Sequence, residues 1–279
     1  MNPVPTGSAS PLVALSIGGS DSMGGCGVQA DLRTFASLGA HGVCALTIVT
    51  AQNSTGVQAA RPLDAAFVGA QLDAVLDDVN VAATKTGMLA TPAVLDEIAS
   101  RVGSGRLGRL VVDPVLVDAR DRALFDATLV RHYLERLAVH ADALTPNSTE
   151  LALLCDRPIH SVDDLERAAI ALADRLDGPA VVAKGGRLGG PDSVDVLARA
   201  GVGAQRFSSP RVATTNVAGT GDTLSAALAV QLGRGADIVE ALAVARSLVG
   251  RALRGAQRWR IGAGSGPLDQ FGWSATANG

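Results

Sequence analysis

Residues 12–39 read LVALSIGGSDSMGGCGVQADLRTFASLG. The first eight form an apolar run closed by two glycines, the mark of a buried strand. From Gly27 onward apolar residues recur at helical spacing until Gly39, a glycine standing where a helix C-cap belongs. A strand that enters a helix through a glycine-rich turn is the repeating unit of an α/β sheet. Five glycines fall within residues 18–27. They do not make a dinucleotide fingerprint: G-x-G-x-x-G is absent, and no acidic residue closes a second strand about 20 residues on. Two readings of the loop stand. It is an ordinary turn, or it wraps a small substrate with Asp31 as a polar contact.

The same alternation runs outward along the chain. GVCALTIVTAQN, VAATKTG, RLVVDP, DALTP and AVVAKGG read as further strands. Helices are predicted over 64–78, in TPAVLDEIASRV with its Thr-Pro start, near 122–139, over 147–155 and 161–176, and in succession over 219–233 and 236–255. SVDVLARAGVGAQRFSSP breaks the rhythm with two runs around a glycine turn, which predicts a hairpin. Uniformly apolar strands alternating with helices predict a single three-layer α/β/α domain with a mostly parallel central sheet, over residues 12–279. Residues 1–11 read as a disordered tail. Ligands of such sheets bind at the carboxyl ends of the strands. The polar and glycine-rich segments 18–27, 50–56, 84–88, 113–120, 145–150, 184–190 and 214–222 all follow strands and converge there.

Composition narrows the function. The chain has 279 residues, of which 47% are hydrophobic, enough for a core without covalent staples. Aromatics make up 3%, too few for a base-stacking surface, and the net charge of −3 comes without a basic block, so no nucleic-acid partner is expected. No membrane partner is expected either: the start has no positive n-region, and the apolar run after it is short. Cys26, Cys44 and Cys155 are scattered and odd in number, which fits a reducing cytoplasm. His41, His132, His140 and His160 are dispersed and outside metal spacing, so zinc is not expected. The nucleophile motif G-x-S-x-G does not occur.

Several rim segments can carry chemistry. In GTGD, Gly219, Thr220 and Gly221 open a helix, where unpaired amides and the dipole favour an anion. Asp222 in that first turn can take a proton from an alcohol, or it merely caps the helix. In TAQNSTG, Gln52 and Asn53 offer amide groups at the rim, or belong to a solvated turn. Asp113, Asn147 and Glu150 are hard oxygen donors suited to Mg²⁺, while Asn147 and Glu150 also match a capping pair. Lys184 ends an apolar strand, where an ammonium can reach a phosphate or simply be solvated.

Taken together, these segments resemble a known family. GGSDSMGGCGVQADLRTFASLGAHG, TAQNSTGV, TKTGML, DPVLV, TPNSTE, AKGG, GTGDTLSAALA and GSGPLDQF follow the order of the hydroxymethylpyrimidine/phosphomethylpyrimidine kinases of thiamine biosynthesis. That family lies in the ribokinase superfamily, close to the pyridoxal kinases, and the resemblance spans roughly residues 12–273. It implies a ribokinase-like fold, a homodimer, ATP and Mg²⁺, and phosphorylation of hydroxymethylpyrimidine and then of its monophosphate. By motif it implies that Gln52 bonds the pyrimidine edge and that Gly19, Asp31, Met88 and Val115 line the pocket. Lys184 is then the ATP-phosphate contact, and Asn147 and Glu150 organise Mg²⁺ through water with Asp113 nearby. Gly219 to Gly221 form the anion hole and Asp222 is the base. Three departures stand out: Asp222 replaces the family's usual cysteine, DARDRA replaces a Ser/Thr-Gly pair, and the tail has Ser265 and Gln270 without its usual histidine. A pyridoxal kinase, or a catalytically silent pyrimidine-binding regulator, are the alternatives.

Overall fold

The computed structural model describes residues 10–117, 124 and 127–276. Residues 1–9 of the expected tail, and the segment DARDRA at 118–123, lie outside the described residues. The chain opens with strand β1 (Val13–Asp21), helix α1 (Gly27–Ser37), and the strands β2 (His41–Asn53) and β3 (Gly56–Pro62). Helix α2 (Ala65–Leu76), strand β4 (Ala83–Thr86), helix α3 (Pro92–Val102) and strand β5 (Arg109–Val112) follow. Next come α4 (Ala127–Arg136), β6 (Ala143–Leu144), α5 (Ser148–Cys155), α6 (Val162–Leu176) and β7 (Ala180–Ala183). The hairpin β8 (Asp192–Arg199) and β9 (Gly203–Pro210) leads to α7 (Thr220–Gly233), α8 (Ile238–Ala256) and the short α9 (Trp273–Thr276).

Local chemistry sets these boundaries. Asp64 caps α2 by accepting from the Phe67 amide at 2.9 Å. Thr91 caps α3 with Pro92 in its first turn, and Ser161 and Asp237 cap α6 and α8. Each cap satisfies an amide that the helix itself cannot.

The described strands form one sheet in the order β3-β2-β1-β4-β5-β6-β7-β8-β9. The six strands β2-β1-β4-β5-β6-β7 run parallel; β3 pairs antiparallel at one edge, and the antiparallel hairpin β8–β9 extends the sheet at the other. Alternate side chains of each strand enter different cores. Ile17, Val112 and Val181 meet Leu72, Leu95, Leu134, Leu151 and Leu172 of α2 to α6 on one face. Val111 and Val182 meet Leu224, Leu228, Leu242 and Leu248 of α7 and α8 on the other. Ala14 packs with Phe35 of α1 and Ala226 of α7. Each such buried leucine contributes about 1.5–3 kcal/mol over exposure.

One strand departs from the sequence reading. GVCALTIVTAQN ends β2 as expected, but the chain then turns through Ser54 and Thr55 into a further strand, β3, that the sequence reading did not include. All seven residues of β3 are exposed, so it carries no buried periodicity to read. The order of the sheet also locates the site. The chain steps from β1 to β2 on one side and returns to β4 on the other, which opens a crevice at the carboxyl ends of β1 and β4.

Candidate active site

The loop after β1 is tied into shape by one carboxylate. Asp21 accepts from the Met23 amide at 2.9 Å, the Gly25 amide at 2.8 Å and the Cys26 amide at 3.0 Å. The glycines let this loop touch its neighbours. A Cβ on Gly27, whose φ is +62°, would fall 2.3 Å from the Gly19 carbonyl oxygen. A Cβ on Gly219, whose φ is +80°, would fall 2.2 Å from the Gly25 carbonyl oxygen. Glycine at 219 is therefore required by backbone against backbone at the start of α7.

That start is uncapped: Gly219 is the N-cap and no side chain bonds the first amides. The Thr220 hydroxyl donates to the Val217 carbonyl at 2.7 Å. The Asp222 carboxylate does not cap either. Its Oδ1 accepts from Lys85 Nζ at 2.8 Å. Lys85 is buried at the end of β4 and also reaches both oxygens of Asp31, at 2.9 and 3.0 Å. Ser16 Oγ donates to Asp31 Oδ2 at 2.6 Å. Asp31, expected to line a pocket, is thus 1% exposed beneath Lys85.

A second ion pair stands beside the helix start. Lys184 Nζ donates to Asp113 Oδ1 at 2.7 Å, and Thr145 Oγ1 adds a bond at 3.0 Å to the same oxygen. Ser225 Oγ, from the next turn of α7, reaches Asp113 Oδ2 at 3.3 Å. A Cβ on Gly221 would lie 3.0 Å from Lys184 Nζ. Two ammonium groups therefore flank an uncapped helix N-terminus, an arrangement that attracts a polyanion.

Burial and charge compete throughout the site. Burial alone would lower Lys85, but Asp222, Asp31 and Asp113 outweigh it and push its pKa up. Burial raises the Asp31 carboxyl to about 7 against the pull of Lys85. Burial opposes ionisation of Asp113, yet Lys184 and Lys85 hold its pKa below the ordinary carboxylate value. Lys184 is likewise raised, Asp113 and Glu150 outweighing burial. Burial, then the Asp222 charge, pushes the Cys26 thiol well up.

Asn147 and Glu150 form a complete capping box on α5. Asn147 Oδ1 accepts from the Thr149 and Glu150 amides at 2.9 and 3.0 Å, and Glu150 Oε2 accepts from the Asn147 amide at 2.8 Å. The capping reading thus describes what these side chains do here. Glu150 is also 3% exposed, and burial raises its carboxyl to about 7, with Lys184 opposing and Asp113 adding to the rise. Among the described residues no group of three or more His, Cys, Asp or Glu side chains is placed to hold a metal ion. Two buried carboxylates that repel one another beside Lys184 do fit a hydrated Mg²⁺, which takes one or two carboxylates and keeps its waters.

On the β1–β2 side, Gln52 is half-buried; its Nε2 donates to Cys26 Sγ at 3.3 Å and its Oε1 accepts from Thr50 at 3.3 Å. Its backbone amide holds the loop too, donating to Ser22 Oγ at 2.8 Å. Gly19 lies at the register shift between β1 and β2, with Ile48 2.9 Å from where its Cβ would be. Met88 and Val115 are half-buried just beyond β4 and β5. The C-terminal segment closes over this end of the sheet. Its Pro267 bridges Ala218, Gly264 donates to Ser54 Oγ at 3.0 Å, and Gln270 donates to Thr223 of α7 at 3.2 Å.

The sequence matches the family described as phosphomethylpyrimidine kinase over residues 21–269. The chain belongs to that family. It is 42% identical over 261 residues to the hydroxymethylpyrimidine/phosphomethylpyrimidine kinase of Rhizobium meliloti (strain 1021), spanning 93% of this chain and 97% of that protein. Two solved structures are similar to this kinase-family chain. A Bacillus subtilis pyridoxal kinase in complex with ADP has a TM-score of 0.87 at 33% identity, over 95% of this chain and 99% of the other. A phosphomethylpyrimidine kinase from Clostridium difficile 630 has a TM-score of 0.74 at 32% identity, over 86% and 98%.

In this kinase-family site, sequence reasoning missed Lys85, Ser16, Thr145, Ser225 and Cys26. Only Lys85 had a readable signal. It is a lone charge inside VAATKTG, a strand otherwise without one, and a buried charge requires partners.

Proposed function

We propose that the chain is an ATP-dependent kinase that phosphorylates hydroxymethylpyrimidine and then its monophosphate. The observation that carries this reading is the uncapped start of α7, with Asp222 in its first turn and Lys184 at its side. Family membership supports the same reaction.

Gln52, held beside the glycine loop, would read the pyrimidine edge, with Gly19, Met88 and Val115 around the ring. Asp222 takes the alcohol proton as the oxygen attacks the γ-phosphorus. The amides of Gly221 and Asp222, together with Lys184, would face the charge that builds on the transferring group. Asp113, Asn147 and Glu150 would hold Mg²⁺ directly or through water, and Mg²⁺ supplies positive charge to the ATP phosphates. A homodimer in the cytoplasm, built from one kinase domain over residues 12–279, belongs to the same reading. In its favour, one sheet runs through the described chain, and among the described residues no helix is long and apolar enough to cross a membrane.

The test is product analysis with ATP, Mg²⁺ and either hydroxymethylpyrimidine or pyridoxal. The expected result is mono- and then diphosphate from the pyrimidine. Preferential phosphorylation of pyridoxal would favour the second reading, which has the similarity to the B. subtilis pyridoxal kinase behind it. ATP left unconsumed with both alcohols would leave a silent binder. In the active enzyme, Asp222→Ala is expected to lower turnover by about 10²–10⁴, the span of a general base.

A further inference from the structure

Lys85 is a fully buried charge, and the reaction outlined above gives it no task. It sits at the carboxyl end of β4, at the crevice where the sheet order reverses, and is 1% exposed. Its ammonium joins two carboxylates from two different helices: Asp31 of α1 at 2.9 Å and Asp222 of α7 at 2.8 Å. Two carboxylates on one ammonium leave the cluster with one uncompensated negative charge inside the protein.

We propose that Lys85 is a positioning residue for Asp222, and that Asp31 offsets enough of its charge to keep Asp222 able to accept a proton. The inference rests on Asp222 being the base. A buried ammonium beside a single carboxylate holds it ionised but makes it a weak base. Asp31 supplies the opposing charge. Ser16 and Lys85 fix Asp31, so it stays in place while the proton moves. With Asp31 ionised, the cluster carries a charge of −1 before transfer and 0 after it, and burial favours the neutral form.

The geometry also says which oxygen reacts. Among the described residues, Asp222 Oδ1 is bonded to Lys85 and Oδ2 has no hydrogen-bond partner. In the step, the alcohol O–H bond breaks and its proton passes to Oδ2. The alcohol oxygen forms the new bond to the γ-phosphorus, and the bond from that phosphorus to ADP breaks. The proton then leaves from Asp222, which is 16% exposed, because Lys85 and Asp31 are sealed at 1%.

Other charges face the cluster. Cys26 at the start of α1 has the Asp222 charge near it. Asp113 beyond β5 acts on Lys85, and Lys184 beyond β7 feels Asp222. Glu150 of α5 acts on Lys184. The acid limb of kcat/KM therefore belongs to the Asp31–Lys85–Asp222 unit and not to one carboxylate.

The test is the pH profile of kcat/KM for the alcohol in wild type, Asp31→Asn, Lys85→Met and the double variant Asp31→Asn/Lys85→Met. Asp31→Asn leaves Lys85 to Asp222 alone, so the acid limb is expected to move down by about one pH unit, with a lower plateau. Lys85→Met leaves two carboxylates facing each other, and the limb is expected to move up. Lys85→Met alone strands Asp31 in the core and can fail to fold; the double variant removes both charges and keeps the net −1. Its limb is expected near that of wild type. If Asp31→Asn leaves the limb in place, or moves it in the same direction as the variants lacking Lys85, the proposal is overturned. The base itself is judged separately: Asp222→Ala with full turnover rejects Asp222, whereas loss of turnover with an unmoved Asp31→Asn limb rejects only Lys85 and Asp31.

Discussion

Lys85 and Lys184 occupy matching places, each at the carboxyl end of a parallel strand and each beside the first turn of α7. Their surroundings differ. Lys85 is closed off at 1% exposure and has two carboxylates, one of them Asp222. Lys184 keeps 14% of its side chain exposed, has Asp113 as its ion-pair partner, and borders a glycine with no side chain to cover it. One ammonium is committed to the protein; the other has donors left for an incoming anion. The helix start thus separates two tasks, shaping the proton acceptor on one side and meeting phosphate on the other.

Lys184→Met breaks this comparison most severely. Removing one preorganised donor from the path of a charged transition state is expected to cost about 10²–10³ in kcat. Its acid limb in pH should move up by less than in Lys85→Met, because Lys184 feels Asp222 without bonding it while Lys85 and Asp31 are untouched. Steady-state kinetics across pH measures both, and a shift as large as that of Lys85→Met would show that the two lysines act as one unit.

Gly221→Ala sharpens the comparison with a smaller effect. The added methyl would sit 3.0 Å from Lys184 Nζ, against the flexible end of a side chain that can yield. The expected cost is about tenfold in kcat/KM for ATP, since small displacements of positioning groups are felt in rate. Binding of the pyrimidine at Gln52 should be unaffected. Equal losses for both substrates in parallel titrations would mean that Gly221 serves the whole helix and not the phosphate side.

The fold was largely legible because its parallel strands are buried on both faces, and burial writes continuous apolar runs such as ALSI and AVVA. β3 was not, because all seven of its residues are exposed and its pairing with β2 is purely backbone. In the site, GTGD and its position at a helix start were readable, but the reason for Gly219 was not. That glycine answers to the Gly25 carbonyl, nearly two hundred positions away, and spacing along a chain carries no trace of such a contact. Asn147 and Glu150 show the opposite limit. Three-residue spacing satisfies a capping box and a shared metal-facing surface equally well, and here the box is formed. Lys85 could have been found from its charge within a strand; its two partners lie 54 and 137 positions off and could not.

The smallest effect tests the phosphate side through pH and stability. Glu150 has its pKa raised from 4.5 to about 7, burial being the main cause. A carboxyl whose folded pKa lies above its unfolded one stabilises the fold in its protonated form. That contribution is complete below about pH 4.5 and is lost as pH rises through 7. Asp31, raised from 3.8 to about 7, acts in the same direction, its contribution complete below about pH 3.8 and lost as pH rises through 7, whereas Asp113, held below 3.8, loses its contribution only as pH falls. Wild-type Tm without Mg²⁺ or ATP should therefore fall between pH 5 and 7.5 on account of Glu150 and Asp31 together. Glu150→Gln keeps an uncharged acceptor for the Asn147 amide and does not titrate, so only the Asp31 part of the fall should remain. Each kcal/mol recovered at the upper pH appears as about 2–4 °C in Tm. Adding Mg²⁺ at pH 7.5 should then raise Tm in wild type more than in Glu150→Gln, since the cation compensates the charge that the variant lacks. Parallel Tm curves for the two proteins would mean that Glu150 is ionised in the fold at no cost, and that its oxygens answer to the capping box alone.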